Sequence, residues 1–215
     1  MPHVGKFYLD DEDDHIKDVL RKGIPWEGQV RELIDLHAWP GTVAIDIGAH
    51  IGAHTLSMAK RAEKVYAFEP QPKLFRELVA NVALNEIKNV EPYCCAVGDT
   101  FGEIELSPLT AGNEGATPLR GGSGTLVPLL PLDALCLKNV SLIKIDVEGM
   151  EDRVLVGAKK TLLENHPVVV IEIMGGYMPE TAPPAVQEKI YQTIQILKDL
   201  HFRIYRISIH DYLAL

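Results

Sequence analysis

Short apolar runs alternate along most of the chain with segments that have apolar residues at three- to four-residue spacing. Apolar runs bounded by turn residues are typical of buried strands, and the second pattern is typical of amphipathic helices. The predicted strands are Val43–Ile47, Val65–Phe68, Tyr93–Val97, Leu142–Ile145, Val168–Ile173, Phe202–Ile207 and Tyr212–Leu215. The helices predicted between them are His54–Arg61, Pro72–Leu84, Glu151–Glu164 and Ala185–Leu200. This alternation predicts an α/β fold with a mostly parallel seven-stranded sheet and helices on both of its faces.

The first part of the chain departs from this alternation. Lys6–Leu9 has the composition of a short strand, and Glu27–Leu36 has apolar residues at helical spacing. Pro40-Gly41 then breaks the chain before the first core strand. We therefore predict a strand-and-helix extension over residues 1–40, packed on a single domain that spans residues 41–215.

Two longer connections interrupt the pattern further along. Phe101–Leu130 is rich in Gly, Pro, Ser and Thr and lacks a helical period, and Met174–Pro184 follows the fifth predicted strand. Long connections of this kind are often functional lids or binding loops. We predict that Phe101–Leu130 forms extended strands or loops over the edge of the sheet that binds a ligand.

The composition narrows the class of protein. Of the 215 residues, 47% are hydrophobic and 24% are charged, which is ordinary for a globular domain, and no apolar run reaches membrane-spanning length. The formal net charge of -9 argues against a nucleic-acid partner, because phosphate binding needs clusters of Lys and Arg. The N-terminus lacks a signal-peptide core, and the three cysteines form no C-x-x-C pair. We therefore expect a cytoplasmic protein in a reducing compartment, with no membrane span and no nucleic-acid partner.

Acidic residues are concentrated in one run, Asp10–Asp14, directly before the apolar positions of a short helix. Acids in this place stabilise the N-terminus of a helix. We interpret the run as a solvated turn with helix-capping acids, and a metal or partner site is the alternative.

The run Asp46–Gly52 carries the strongest chemical information. An apolar strand ends in an acid, two glycines follow, and the next predicted strand ends in a second acid, Glu69. Glycines in such a turn let the backbone approach a ligand closely, because they have no Cβ. This spacing is typical of a fold that binds an adenosine cofactor at the carboxyl ends of parallel strands. The alternative is that the two acids cap helices and the glycines only permit tight turns.

The same turn discriminates among adenosine cofactors. The dinucleotide fingerprint G-x-G-x-x-G fails because His50 and Ala53 stand where glycines belong, and the phosphate-loop sequence is absent. A carboxylate at Asp46 repels phosphates and attracts a cationic amino-acid group. S-adenosylmethionine has an ammonium, a sulfonium and no phosphate, so it fits this turn. Glu69 would then accept hydrogen bonds from the ribose hydroxyls.

Further candidate contacts follow the third predicted strand. A backbone amide near Val97 and the carboxylate of Asp99 are placed to read the adenine edge, with the carboxylate accepting from the exocyclic amine. The alternative is an ordinary turn Asp beside Gly98. His50 is a candidate for contact with cofactor or substrate, although an isolated histidine is more often structural.

Acidic residues also follow the fourth and fifth predicted strands. Asp146, Glu148 and Glu151 lie within six residues, and Glu172 ends the next strand. If these strands are neighbours, Asp146 and Glu172 approach each other, as ligands of a divalent cation such as Mg²⁺ or as a base poised by a like charge. We predict that Asp146 is the base or metal ligand, helped by Glu148 or Glu172, with Glu151 in the first turn of the next helix. The alternative is that Lys144 or backbone amides satisfy these acids.

Several motifs together resemble the FkbM family of S-adenosylmethionine-dependent methyltransferases. They are Asp46–Gly52, Phe68-Glu69-Pro70, Asn81 with Asn85, Ala96–Asp99, Asn113-Glu114-Gly115, Leu132-Asp133 and Ile143–Glu151. The last block is the most specific, and the resemblance runs from about Glu27 to the C-terminus. This family more often has Asn where the present chain has His50.

The resemblance implies a Rossmann-like class I methyltransferase fold and methyl transfer, commonly to an oxygen. Many relatives modify sugar hydroxyls in glycans, lipopolysaccharides or natural products. It places the reaction centre near Asp146 and Glu148. The cofactor contacts that we predict on all these grounds are Glu27, Asp46, Gly48, His50, Glu69, Pro70, Val97 and Asp99.

Other functions fit parts of the same pattern. The acceptor can be a phenol, a carboxylate or a peptide nitrogen instead of a sugar, or the chain can be a non-catalytic S-adenosylmethionine-binding module. A nucleotide-dependent oxidoreductase is disfavoured by the broken dinucleotide fingerprint. Family members often sit beside glycosyltransferase domains, so we expect either a homo-oligomer or a unit of a larger polypeptide.

Overall fold

A computed structural model describes residues 5–10, 14–110, 112, 114, 122, 124–173 and 180–215 of the chain. Its strands are β1 Val43–Ile47, β2 Lys64–Phe68, β3 Val90–Tyr93, β4 Ala96–Val97, β5 Gly102–Glu105, β6 Leu126–Leu130, β7 Val140–Ile145, β8 Val168–Glu172, β9 Ile204–Arg206 and β10 Asp211–Ala214. Its helices are α1 His15–Arg21, α2 Gly28–His37, α3 Ala53–Ala59, α4 Pro72–Leu84, α5 Glu151–Gly157, α6 Lys159–Asn165 and α7 Pro184–Asp199. A 3-10 helix spans Leu132–Leu135.

Within these residues, seven strands form one sheet in the order β3-β2-β1-β7-β8-β10-β9, in which β10 alone runs opposite to the other six strands. The predicted mostly parallel, seven-stranded sheet is confirmed. After β1 the chain builds the sheet outward through β2 and β3, and it then returns to add β7 on the other side of β1. Ligands of open α/β sheets bind at such a reversal, beyond the carboxyl ends of the two adjacent strands.

Helices cover both faces of the sheet, as predicted. Side chains alternate between the two faces along each strand. In β1, Ala44 packs with Val30 and Ile34 of α2. The next residue, Ile45, belongs to the cluster on the opposite face, which includes residues of α5, α6 and α7. The central strands are therefore buried on both sides, which explains why their sequences are continuously apolar.

One predicted strand is divided between two sheets. Tyr93–Val97 was expected to be continuous, but β3 ends at Tyr93, and β4 pairs with β6 in a three-stranded sheet of order β4-β6-β5 among the described residues. The apolar run continues across the break, so composition cannot reveal a change of partner. Phe101–Leu130 supplies β5 and β6, in line with the extended strands predicted there. Residues 111, 113, 115–121 and 123 of that connection, and 174–179 of the second one, lie outside the described residues.

The predicted helix Glu151–Glu164 is two helices, because α5 ends at Gly157 and α6 begins at Lys159. A Cβ on Gly157 would lie 1.8 Å from the carbonyl oxygen of Gly98. Only glycine therefore lets α5 pack against the turn that follows β4. Apolar residues continue at helical spacing through both helices, and the sequence pattern gives no sign of the break.

The predicted strand Lys6–Leu9 is wrong, since the described residues 5–10 form no strand. The amide of Lys6 donates to Asn85 Oδ1 at 2.9 Å, and the amide of Tyr8 donates to Asn81 Oδ1 at 2.6 Å. Side chains of α4 and of the residue that follows it thus take the place of a partner strand. An alternating sequence pattern cannot distinguish these contacts from strand pairing.

The helix predicted over Glu27–Leu36 is present as α2, one residue further along. It packs on the sheet through Val30 and Ile34, while the division of the chain at residue 40 stays a prediction. None of the helices in the described ranges combines the length and the apolar character that crossing a membrane requires.

Candidate active site

The glycine turn after β1 brings three strands together. Gly48 has a positive φ of 82°, and a Cβ there would lie 1.6 Å from the carbonyl oxygen of Asp146. The amides of Gly48 and Ala49 both donate to the carbonyl of Phe68 at 2.9 Å. The absence of a side chain at Gly48 therefore lets the end of β1 lie directly against the ends of β7 and β2.

Asp46 is fully buried at this junction. Its Oδ2 accepts a hydrogen bond from Thr55 Oγ1 at 2.6 Å. Its Oδ1 is also buried, has no hydrogen-bond partner within the described residues, and lies 3.9 Å from Lys144 Nζ. A buried carboxylate oxygen without a partner is costly, so Asp46 retains the capacity to accept a further donor.

Lys144 is a buried cation in the middle of the site, with 6% of its surface exposed. Its Nζ donates to the carbonyl oxygen of Gly48 at 3.2 Å and to Asp146 Oδ2 at 3.0 Å. Burial opposes its charge, but Asp146 and Asp46 raise the pKa of Lys144 well above its usual value. The alternative interpretation, in which Lys144 forms an ion pair with Asp146, is therefore observed. Other acids at this edge of the sheet lie beyond the reach of Lys144.

Glu69 is buried at the end of β2 and accepts two backbone hydrogen bonds. The amide of His50 donates to Oε2 at 2.8 Å, and the amide of Gln71 donates to Oε1 at 2.8 Å. Burial raises the pKa of Glu69 to about 7 although these amides favour the charged form. Each oxygen still has a lone pair for a ribose hydroxyl, and that contact stays a prediction.

Glu27 comes to the site from the N-terminal part of the chain. It has a left-handed backbone conformation, with φ 41°, and its Oε2 lies 2.9 Å from Nε2 of the buried His54. Burial opposes ionisation of Glu27, but the hydrogen bond from His54 and the charge of Lys144 hold its pKa below the usual value. His54 therefore orients a carboxylate from the start of α3.

The acids of β7 and β8 form a second group beyond Lys144. One carboxylate oxygen each from Asp146, Glu148 and Glu172 lies within 4.8 Å of the others. Burial and then the neighbouring Asp146 raise the pKa of Glu148 to about 7 and that of Glu172 to about 9. The predicted approach of Asp146 and Glu172 is confirmed, and Glu148, at φ 49°, joins them. Glu151 begins α5, as predicted, and accepts from the amide of Gly149 at 2.8 Å.

The remaining predicted cofactor contacts lie on the β2 and β4 side. Pro70 is buried next to Glu69, and Val97 is buried in β4. Asp99 accepts from Nε and Nη2 of Arg153 on α5, at 2.8 and 2.7 Å, and both side chains are largely exposed. No sequence signal indicated Arg153, and the role of Asp99 at the adenine stays a prediction.

The side chain of His50 lies beside Asp14 and Glu114. One ring nitrogen and one oxygen each of Asp14 and Glu114 lie within 4.8 Å of one another. Both ring nitrogens are buried without a hydrogen-bond partner in the described part of the chain. Burial lowers the pKa of His50 to about 4, so the ring is neutral. Its backbone amide holds Glu69, and the contact of His50 with cofactor or substrate stays a prediction.

Asp14 and Glu114 belong to a charged cluster that the sequence did not reveal. Asp14 caps α1, as predicted, by accepting from the amide of Lys17 at 3.0 Å. Lys17 is fully buried and contacts Asp10 at 2.7 Å, Glu114 at 2.9 Å and Glu77 at 3.2 Å. The predicted helix-capping role is therefore confirmed for Asp14, but the solvated turn is wrong there because Asp14 is buried, while Asp10 is partly exposed and paired with Lys17. Residues 11–13 lie outside the described residues. The sequence offered one sign of this cluster, which is the position of Lys17 among the apolar residues of α1.

Comparison with known proteins agrees with this arrangement. The sequence-family model described as the methyltransferase FkbM domain matches residues 46–204 of this chain. No curated protein sequence matches the chain. A methyltransferase FkbM from Methylobacillus flagellatus is similar in structure, with a TM-score of 0.59 and 16% identity, over 82% of this chain and 44% of that one.

Two further structures are similar to the chain. A candidate methyltransferase from Streptococcus mutans, in complex with S-adenosylhomocysteine, has a TM-score of 0.57 and 14% identity, over 87% of this chain and 94% of that one. Fibrillarin from Aeropyrum pernix, with natively bound S-adenosylmethionine, has a TM-score of 0.53 and 13% identity, over 86% of this chain and 70% of that one. At these identities the structures show the fold alone, which is that of class I methyltransferases. The family match covers most of the sequence, and the chain belongs to the FkbM family of S-adenosylmethionine-dependent methyltransferases.

Proposed function

We propose that this protein transfers a methyl group from S-adenosylmethionine to a hydroxyl of a sugar or glycan. The supporting observation is that the glycine turn of β1 meets the buried acids Asp146, Glu148 and Glu172 at one edge of the sheet. The turn suits the donor, and the acids suit removal of a proton from an acceptor. The chain spans 44% of the Methylobacillus relative, so the activity of the whole protein is part of this proposal.

In this proposal the cofactor lies across the carboxyl ends of β1 and β2. Its cationic amino-acid end faces the carboxylates of Asp46 and Asp146, because opposite charges attract. Its ribose hydroxyls donate to Glu69, which the amide of His50 holds in place. The adenine extends toward Val97 and Asp99.

Glu27 and Pro70 complete the proposed cofactor contacts. Glu27 is supported by its bond to His54, which fixes a carboxylate beside the buried cation of the site. Pro70 follows Glu69 directly and has no amide hydrogen, so it leaves the carboxylate free of one competing donor.

The sequence predicts Asp146 as the base or metal ligand, but Asp146 is paired with Lys144, so Glu148 takes the role of the base in this proposal. A sugar hydroxyl is a poor nucleophile and must lie in line with the bond between methyl carbon and sulfur, so both positioning and proton removal are needed. With a pKa of about 7, Glu148 is partly ionised at neutral pH. Glu172, with a pKa of about 9, is protonated and donates a hydrogen bond to the acceptor. Asp146 lies closest to the donor side, on Lys144.

The same carboxylates suit a divalent cation such as Mg²⁺, which prefers oxygen ligands. Asp146 and Glu172, with Glu148, would hold the ion, and the repulsion that raises the pKa values of Glu148 and Glu172 would be relieved by it. When bound, such an ion stabilises negative charge on an acceptor oxygen.

The acceptor class is supported by charge. The net charge of -9 disfavours polyanionic nucleic acid and suits a neutral, hydroxyl-rich molecule. A homo-oligomer, or a place within a larger polypeptide, remains a prediction.

Calorimetry with S-adenosylhomocysteine and with NAD tests the donor. We expect S-adenosylhomocysteine to bind and NAD to give no heat of binding. Binding of NAD alone would contradict the proposal at its first step and restore the oxidoreductase alternative.

A transfer assay tests the acceptor. S-adenosylmethionine labelled in its methyl group is incubated with a panel of mono- and oligosaccharides, phenols, carboxylic acids and peptides, with and without Mg²⁺. We expect label on a sugar hydroxyl. Label only on another acceptor would replace the sugar, and tight cofactor binding without any transfer would favour a non-catalytic module.

A further inference from the structure

Lys144 lies at the edge of the sheet to which the proposed function assigns the cofactor, and its contacts are acceptors that a bound ammonium group could also use. Its Nζ donates to Gly48 O at 3.2 Å and to Asp146 Oδ2 at 3.0 Å, and it lies 3.9 Å from Asp46 Oδ1. These three oxygens come from the glycine turn and from the two strand-end acids beside it. They are the acceptors that the site offers to a cation.

The α-ammonium of S-adenosylmethionine requires the same kind of surroundings. An ammonium group has three N–H donors and no acceptor, as the Lys144 side chain does. Gly48 lies directly against the backbone of Asp146, so one ammonium group can reach both Gly48 O and Asp146 Oδ2, as Lys144 Nζ does. Two ammonium groups cannot both be bonded to Gly48 O and Asp146 without strong repulsion in a buried site.

The structure also offers Lys144 a second acceptor within reach. Asp46 Oδ1 is buried and has no hydrogen-bond partner within the described ranges. A movement of Nζ by about 1 Å would turn the 3.9 Å separation into a hydrogen bond of normal length. This movement would satisfy the unpartnered oxygen of Asp46.

We propose that Lys144 and the α-ammonium of the cofactor compete for Gly48 O and Asp146, so that cofactor binding shifts Lys144 onto Asp46. This inference rests on the proposed donor, and it changes the role of Asp46. Asp46 receives the displaced lysine, while Gly48 O and Asp146 receive the cofactor. Lys144 is then a positioning residue that tunes cofactor affinity.

The test compares two ligands that differ only at the amino-acid end. S-adenosylhomocysteine carries the α-ammonium, and 5′-methylthioadenosine lacks the whole amino-acid group. Calorimetry measures both against the wild-type chain, Lys144→Met, which removes the charge at similar length, and Lys144→Arg, which keeps it. We expect Lys144→Met to bind S-adenosylhomocysteine more tightly, by roughly tenfold, with unchanged affinity for 5′-methylthioadenosine. Lys144→Arg should show no gain.

The outcomes separate this inference from the proposed function. If neither ligand binds to the wild-type chain, the proposed donor is wrong. If both bind and Lys144→Met weakens S-adenosylhomocysteine alone, Lys144 is a cofactor ligand and the competition is refuted. Equal changes for both ligands would also refute it.

A crystal structure of the wild-type chain with S-adenosylhomocysteine gives a test that does not depend on whether a variant folds. We expect the ligand's amino group within hydrogen-bond distance of Gly48 O, and Lys144 Nζ on Asp46 Oδ1. If Lys144 still donates to Gly48 O with the ligand bound, the inference fails.

Discussion

Two buried lysines of this protein have different surroundings. Lys17 of α1 is fully buried among Asp10, Glu77 and Glu114, with three N–O distances of 2.7–3.2 Å. Lys73 adds a second cation to Asp10 and Glu114. Burial opposes ionisation of Asp10, but the two lysines lower its pKa to about 2. The two lysines therefore compensate Asp10 and Glu114, whereas burial still raises the pKa of Glu77.

Lys144 has fewer contacts and more acids around it. It reaches Asp146, but Glu172 beyond it has a pKa of about 9 because burial and neighbouring carboxylates disfavour its charge. Asp46 retains an unpartnered buried oxygen. Carboxylates that the fold leaves uncompensated are free to act on a ligand, whereas compensated ones hold elements together. The three predictions that follow test this difference, from the largest expected effect to the smallest.

Replacing the proposed base should have the largest effect. We expect Glu148→Gln to slow methyl transfer by about 10²–10⁴-fold, the usual contribution of a general base. Its affinity for S-adenosylhomocysteine should stay unchanged, as measured by calorimetry. Glu188→Gln, on the exposed side of α7, is the matched control. Transfer at the wild-type rate in Glu148→Gln would exclude this residue as the base.

Removing the balancing lysine should affect stability. Lys17→Met leaves Asp10, Glu77 and Glu114 close together without their shared cation, so we expect a loss of about 3–5 kcal/mol in the free energy of unfolding. Urea denaturation measures this loss. Lys138→Met removes an exposed ion pair and should leave the unfolding midpoint nearly unchanged. Equal effects of the two variants would show that the Lys17 cluster does not hold α1 in place.

The two regions should also differ in how stability depends on pH. The pKa of Glu172 rises from 4.5 to about 9 on folding, so the folded chain keeps a proton that the unfolded chain releases. The free energy of unfolding should therefore fall as pH rises from about 4.5 to 9. Glu172→Gln should flatten this decline in urea denaturation measured across the range.

Asp10 provides the control with the opposite sign. Its pKa falls from 3.8 to about 2 on folding, so its contribution to stability is complete above pH 4 and is lost only between about pH 4 and 2. Asp10→Asn should leave the slope between pH 4.5 and 9 as it is in the wild-type chain. The assignment would be contradicted if Asp10→Asn removed the fall in the free energy of unfolding between pH 4.5 and 9 while Glu172→Gln retained it.

Particular residues show how far sequence reasoning reached. The run Asp46–Gly52 and the acid Glu69 predicted a strand, a tight turn and a ligand-facing edge, and the turn lies there because Gly48 meets the backbone of Asp146. Asp146 and Glu172 were expected to meet only if their strands were neighbours, and β7 pairs with β8. Their roles toward cofactor and acceptor remain predictions.

Other features had no local signal. The change of sheet between Tyr93 and Ala96 occurs inside one apolar run. The bond between Glu27 and His54 joins residues 27 positions apart, and Lys17 and Glu114 are 97 positions apart. The sequence identifies these residues as charged or titratable, but it does not show which of them form pairs in the folded protein.

The sequence by itself determined the alternation of strands and helices, the glycine turn and the class of cofactor, because periodicity and backbone freedom are local properties. Only the tertiary structure decided which lysine neutralises which acids and which carboxylates remain uncompensated. The physical reason is that burial and charge pairing depend on contacts between distant segments. These contacts set the pKa values and the unpartnered oxygens on which the proposed chemistry rests.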